Sequence, residues 1–374
     1  MTVLSAAERL DWLQLIRTDT IGPISFFRLV ERFGSAAAAL DALPALSRAA
    51  GRAAPIRLAD RQAAEDELAA TDDIGARLVA SCEPDYPQMF LPIADRPPLL
   101  CVKGAASLFE KPAVAVIGAR NASGVGKKIA RQLSADLGAA GVVVVSGLAR
   151  GIDAAAHGAA LDTGTIAVVA GGVDVIYPPE NEELTREIAE RGAIVSERPL
   201  GWSPTARDFP RRNRLISGLV SGVVVVEAAA KSGTLITARF ALEQGRDVYA
   251  VPGSPLDPRC QGANRLIRDG ATLVETAEDI LEGLAAQNRG IREGRAPGAP
   301  DWEAREGAPD ADEARRAAIR AAVFETLSFT PLHRDDILRE TGAPAGLIAD
   351  ALLDLTLTGD AEEHAGGRFA LRPD

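Results

Sequence analysis

AVAVIGARNASGVGKKIARQLSADLGAAGVVVVSG, residues 113–147, begins and ends on short apolar runs that hold an amphipathic segment between them. Apolar runs without polar alternation are the pattern of strands covered on both faces. The segment between them carries the period of a helix. The unit recurs along the chain. "IAVVAGG" (166–172), "AIVSE" (193–197), "GVVVVE" (222–227) and "DVYAVPG" (247–253) are further strands, and "ENEELTREIAERG" (180–192) is a further helix. Strand and helix in alternation predict an α/β fold with a doubly wound, mostly parallel sheet and helices on both faces. Ligands of such sheets bind at the carboxyl ends of the strands.

Several loops at that edge carry candidate residues. After the first strand, Gly118, Arg120, Ser123 and Gly124 lead into a helix, whose first N–H groups would attract an anion. The spacing matches neither the dinucleotide fingerprint nor the P-loop, and Ser146-Gly147 stands where a dinucleotide fold wants an acid. The second loop, "SGLARGIDAAAHGAAL", holds Ser146, Gly147, Gly151 and Asp153. Asp153 reads as a helix N-cap, with His157 one turn further on. The pair could be catalytic, or a cap with a hydrogen-bonded histidine. A further loop offers Lys231, Ser232, Gly233 and Thr234 before another helix.

"FPRRNRLISG" (209–218) is an island of positive charge in a chain of formal net charge −11. Arg207, Arg211, Arg212 and Arg214 stand beside Phe209 and Asn213. If this stretch is helical, Arg211 and Arg214 share a face. Any one of these arginines could instead be held in an ion pair with Glu197 or Glu227. So many cations and helix starts exceed what one nucleotide needs and suit a run of linked phosphates. An aromatic beside them suits base stacking.

The charge is uneven. Residues 112–274 carry 18 Lys/Arg against 16 Asp/Glu, whereas residues 301–374 carry 8 against 16. The middle of the chain is therefore where a polyanion is expected. The three cysteines and three histidines are too scattered for a metal site or a disulfide frame, and no metal or cofactor is expected. The first twenty residues do not read as a signal peptide, and no apolar run is long enough to span a membrane, so a cytoplasmic protein is expected. The length predicts several domains. Residues 1–70 read as short amphipathic helices, 71–284 as the sheet domain, 285–313 as a flexible linker and 314–374 as a winged helix: helices at about 314–327, 333–340 and 344–356, then a hairpin.

Taken together, "DYPQMFLPIADRPPLLCVKG", "VIGARNASGVG", "SGLARGIDAAAHGAAL", "YPPEN", "FPRRNRLISGL", "SGTLITARFALEQGRDVYAVPG" and "GANRLI" resemble, in order, the DprA/Smf family of DNA-processing proteins, over residues 85–275. The resemblance implies an extended Rossmann-like domain that binds single-stranded DNA, works as a homodimer and loads the RecA recombinase during natural transformation, with no enzymatic activity. Arg120, Ser123, the 146–153 loop, Phe209, Arg211 to Arg214 and Ser232 to Thr234 would line the DNA pocket. Arg207 would stand for a lysine that many members place before the Phe. The N-terminal helices resemble the sterile-alpha-motif or helix–hairpin–helix extension of some members, with "DTIGPISFFRLVERFG" a hairpin able to touch a duplex backbone at Ile21–Gly22, but residues 1–70 carry 8 Lys/Arg against 9 Asp/Glu, so strong DNA binding there is not expected. Residues 341–359 contain no Lys or Arg but do contain Asp350 and Asp354. The winged helix is therefore expected to contact protein or control dimerisation, and not to bind DNA by itself.

A more distant resemblance runs to nucleotide phosphoribohydrolases of the lysine-decarboxylase-like family. Here "KSGTLITARF" lacks their paired glycines and has Ala238-Arg239 where their acid would stand.

Overall fold

The computed structural model describes residues 2–49, 56–293, 309–364 and 367–372. The chain divides into two compact units, Met1–Leu4 with Glu65–Gly294, and Ser5–Ala64 with Arg295–Asp374.

The second unit begins with helices α1 (Ala6–Arg17), α2 (Pro23–Phe33) and α3 (Ala36–Ala49), followed by α4 (Arg61–Asp73), which continues into the first unit. A capping box between Ser5 and Glu8 starts α1, and Gly34 in the left-handed region ends α2. Leu15, Phe26, Leu29, Ala39 and Leu43 form the core of these helices.

The first unit holds β1 (Ala76–Ala80), β2 (Leu99–Gly104), β3 (Ala113–Ile117), α5 (Gly124–Ala139), β4 (Val143–Ser146), α6 (Ile152–Ala160) and β5 (Thr165–Val168). It continues through α7 (Glu182–Arg191), β6 (Ala193–Ser196), α8 (Asp208–Gly218), β7 (Gly222–Val225), α9 (Thr234–Glu243), β8 (Asp247–Ala250), α10 (Gln261–Arg268), β9 (Thr272–Leu273) and α11 (Ala277–Glu293). The sheet order is β1-β2-β6-β5-β4-β3-β7-β8-β9. Strands β6 to β9 in that order are parallel, and β1 and β2 extend the edge antiparallel. This is a doubly wound sheet with an antiparallel extension.

Strand residues alternate between the two faces. Ala115, Val145, Val168 and Val225 face α8, α9 and α10, while Val114, Val116, Val144 and Val224 face α5, α6 and α11. Both faces are covered, which is why these strands are apolar throughout. Each fully buried Val contributes about 1.5–3 kcal/mol. The winding reverses between β3 and β7, so the topological switch point lies where their carboxyl ends adjoin.

After the sheet, the second unit resumes with α12 (Pro309–Thr326), β10 (Leu332–His333), α13 (Arg334–Thr341), α14 (Ala345–Thr358), β11 (Ala361–His364) and β12 (Arg368–Leu371). Three helices and a small sheet of order β10-β12-β11 make a winged helix around Val323, Ile337, Ile348, Leu352 and Leu355. Of the segment read as a linker, 285–293 continue α11 and 309–313 open α12, and 294–308 lie outside the described residues. The turn of the final hairpin at 365–366 also lies outside them.

Candidate nucleic-acid interface

A cleft of about 220 Å³ opens over the carboxyl ends of β4 and β5. Residues 147–149 and 169–171 line it together with Arg120, Arg150, Tyr177, Phe209 and Arg212. The Arg120 guanidinium lies 5.1 Å from the ring centre of Phe209 and that of Arg212 6.0 Å, both within cation–π range. Phe209 and Tyr177 stand 5.5 Å apart at a tilt of 47°. Arg120 and Arg150 are exposed, and Arg150 pairs with Glu180 at 3.4 Å. The cleft is smaller than the roughly 300–1,000 Å³ that encloses a drug-sized ligand. It suits a single ring or phosphate whose remaining chain runs outside.

The loop from β4 to α6 is fixed from several sides. Asp153 accepts the N–H groups of Gly147 (3.2 Å) and Ala149 (3.3 Å), and Asn181 Nδ2 donates to Leu148 O at 2.9 Å. Arg212 donates to the carbonyls of Gly147 (2.5 Å) and Val168. These bonds hold Leu148 at φ +55°, a costly conformation for a leucine. Glycine is required twice here. A Cβ on Gly147 would lie 2.7 Å from the Arg212 guanidinium, and Gly151, at φ +84°, would place one 2.3 Å from Ala119 O.

Asp153 is not the N-cap of α6, as the sequence suggested. Gly151 is, and Asp153 sits in the first turn facing back to the loop. Burial raises the Asp153 pKa, against the pull of the Arg212 charge. Burial also brings the Arg212 pKa down to about 10, with Asp153 opposing, so Arg212 stays charged at neutral pH. His157 is no partner for Asp153. The Thr165 hydroxyl gives its proton to Val144 O and receives the His157 Nδ1 proton at 2.7 Å. Burial, and then the Arg212 charge, push the His157 pKa to about 3. The ring is neutral and structural.

The arginine island divides between surface and interior. Arg207 and Arg211 are exposed. Arg212 is buried beneath the cleft. Arg214 faces away from its expected neighbour Arg211: its guanidinium is buried, paired to Glu197 and 3.6 Å from Asp95, whose carbonyl it also reaches. Burial works against that charge, but Glu197 and Asp95 outweigh it and raise the pKa. Arg214 therefore belongs to the scaffold, held by the ion pair with Glu197 that the sequence offered as an alternative, and not to the exposed cations of the rim. Asn213 is half-buried between Arg212 Nε and the carbonyl of Gly233.

The hydroxyls expected to meet phosphate have spent their protons internally. Ser123 Oγ donates to Glu227 at 2.5 Å, and its N–H donates to the same carboxylate at 3.0 Å. Ser123 also caps α5 by accepting from Gly126 N. The anion at the start of α5, beside Gly118 and Gly124, is thus Glu227. Ser146 donates to Val116 O, Ser232 to Thr234 Oγ1, and Thr234 to Gly118 O. A phosphate oxygen only accepts, so none of these four hydroxyls serves it as they stand. Lys231 and Gly233 are exposed beside them. Hydrogen bonds from Thr234 to Gly118 and from Asn213 to Gly233 link this loop to the rim that carries Arg120 and Phe209.

Sequence reading covers Arg150 only as part of the 146–153 loop and assigns no role to Tyr177 or Glu180. Tyr177 and Glu180 lie in "YPPEN", where an exposed aromatic among prolines was the available signal.

A doubly wound sheet with guanidinium groups and paired aromatics around an open cleft at its carboxyl edge defines a Rossmann-like protein suited to an anionic, ring-bearing ligand. Residues 77–285 match the family model of DNA recombination-mediator protein A, residues 6–70 that of the DprA-like N-terminal HHH domain, and residues 307–367 that of the DprA winged helix domain. The chain is 38% identical to Protein Smf of Escherichia coli (strain K12), over 83% of this chain and 82% of that protein. It is similar to the X-ray structure of DNA processing protein A from Streptococcus pneumoniae, with TM-score 0.62, 34% identity, and coverage of 75% of this chain and 98% of that one. It is also similar to DNA processing protein A from Helicobacter pylori, in a structure concerned with its single-stranded DNA binding mode, with TM-score 0.52, 29% identity, and coverage of 57% and 96%. The chain belongs to the DprA/Smf family and has a DNA-processing role.

Among the described residues no helix is long and apolar enough to cross a membrane, and no group of His, Cys, Asp or Glu is placed to hold a metal.

Proposed function

We propose that this chain binds single-stranded DNA along the carboxyl edge of its sheet. Arg120 and Arg150 meet phosphates, and Arg207, Arg211 and Lys231 extend the track. Phe209 and Tyr177 receive a base, and Arg212 polarises the cleft from below. The observation that carries this reading is Arg120 over the Phe209 ring at the mouth of a cleft too small for a whole dinucleotide. A phosphate-binding cation and a stacking platform side by side are what a flexible strand uses, because every base has a ring face. The relative from Helicobacter pylori supports the same ligand class.

The wider role proposed with it, on the family likeness, is that of a cytoplasmic homodimer that protects single strands and loads a RecA-like recombinase on them in recombination or natural transformation, acting as a binding protein and not as an enzyme. The phosphoribohydrolase alternative has little support. Ala238 is buried in the core, Arg239 pairs with Glu243, and Glu227 is held by Ser123. Titration of a labelled oligothymidylate against a duplex of equal length, together with an assay for free base released from nucleoside monophosphates, tests the reading. Preference for the single strand without base release is expected. Base release with no strand binding contradicts it.

A further inference from the structure

The face of α14 turned away from the winged-helix core packs on the N-terminal helices. Ile348, Ala351, Leu352 and Leu355 fill the winged-helix core, whereas Leu353, 3% exposed, joins the cluster of Leu15, Phe26 and Leu29. Asp350 and Asp354 flank Leu353 on that face, one turn apart. Asp354 lies 3.8 Å from Arg32. Burial lowers the Arg28 pKa, and Asp350 is the leading opposite charge that works against the shift. From the wing, Glu363 reaches the start of α2, its Oε2 3.5 Å from where a Cβ on Gly22 would stand. Among the described residues no side chain caps α2, and Ile21 N–H is already spent on Thr18 O.

Three carboxylates thus meet two arginines and the positive end of a helix. That is the set of partners a phosphate backbone would seek. The helix a duplex reader would lay in the major groove is instead seated on protein.

We propose that α14 and the backbone of duplex DNA compete for one face of the N-terminal helices, so that the winged-helix domain masks a second DNA-binding surface. The inference is independent of the cleft, and its failure leaves single-strand binding there untouched.

The test uses the full-length chain with Leu353→Gln, which withdraws the apolar anchor without entering the winged-helix core. Asp350→Asn/Asp354→Asn serves as a second variant at partly exposed positions. Hydrogen exchange of residues 21–33 reports release, and anisotropy of a labelled duplex reports binding. Faster exchange and about tenfold tighter duplex binding are expected, within the roughly 5–150-fold span of coupled equilibria. Adding Arg28→Gln/Arg32→Gln should abolish the gain. Unchanged exchange in both variants, release without gain in duplex affinity, a gain that survives loss of the two arginines, or an equal gain for single strands would each overturn the proposal.

Discussion

Glu227 accepts both the hydroxyl proton and the backbone N–H of Ser123, and so places a carboxylate at the start of α5 beside the switch point of the sheet. Doubly wound sheets bind nucleotide phosphates at that place. Here an internal anion holds it, and the open cleft lies over β4 and β5 instead. Gly126 is needed for the arrangement, since a Cβ there would lie 2.5 Å from the Glu227 carboxylate.

Ser123→Ala should therefore behave as loss of a helix cap. A stability decrease of about 1 kcal/mol is expected in urea unfolding, with oligonucleotide affinity unchanged. A large loss of affinity at unchanged stability would assign Ser123 to the strand instead.

Arg214→Ala leaves Glu197 and Asp95 without their buried partner. Breaking one side of a buried pair costs about 3–5 kcal/mol. For a domain of this size that lowers Tm by roughly 6–20 °C. Calorimetry should show the drop, and the salt dependence of DNA binding at low temperature should not move.

Phe209→Ala should weaken a single strand by about 1–3 kcal/mol through lost stacking, without altering the salt dependence. Phe209→Trp should keep most of the affinity. Titrations at two salt concentrations separate stacking from charge.

His157 sets a pH dependence of stability. Its native pKa of about 3 lies below the ordinary 6.5, so between those values the unfolded chain binds a proton that the native chain excludes. The unfolded state gains protons as pH falls, and stability that is complete above pH 6.5 declines below it, by about 1.4 kcal/mol per pH unit. Urea midpoints of wild type and His157→Gln should converge in slope above pH 6.5. Between pH 6.5 and 5 the wild type should lose more, and parallel curves there would contradict the assignment.

The six parallel strands read from the sequence at 113–118, 142–147, 166–172, 193–197, 222–227 and 247–253 all lie in the sheet, because covering both faces leaves a continuous apolar run. Outside that reading lie β1, interrupted by the exposed Arg77, the two-residue β9, and β2, whose apolar run at 99–102 is short. At the rim, residue type identified arginines and hydroxyls but not where they point. Arg211 and Arg214 differ only in which side of α8 meets Glu197, the ion-pair partner the sequence already offered, and Asp95, 119 residues away. Ser123 looked like a phosphate donor until Glu227, 104 residues away, took its proton. Tyr177, from the loop after β5, and Phe209, from the first turn of α8, also come together from separate elements, which no local pattern records.

The most direct measurement is the salt dependence of oligothymidylate affinity in the wild type and in Arg120→Ala, Arg150→Ala and Arg214→Ala. Each single-strand phosphate contact contributes about 0.7 to the log–log slope. The wild-type slope should be several units, reduced by about 0.7 in Arg120→Ala and in Arg150→Ala and unchanged in Arg214→Ala. A slope near zero in the wild type, or one insensitive to Arg120 and Arg150, would contradict a phosphate track at this cleft.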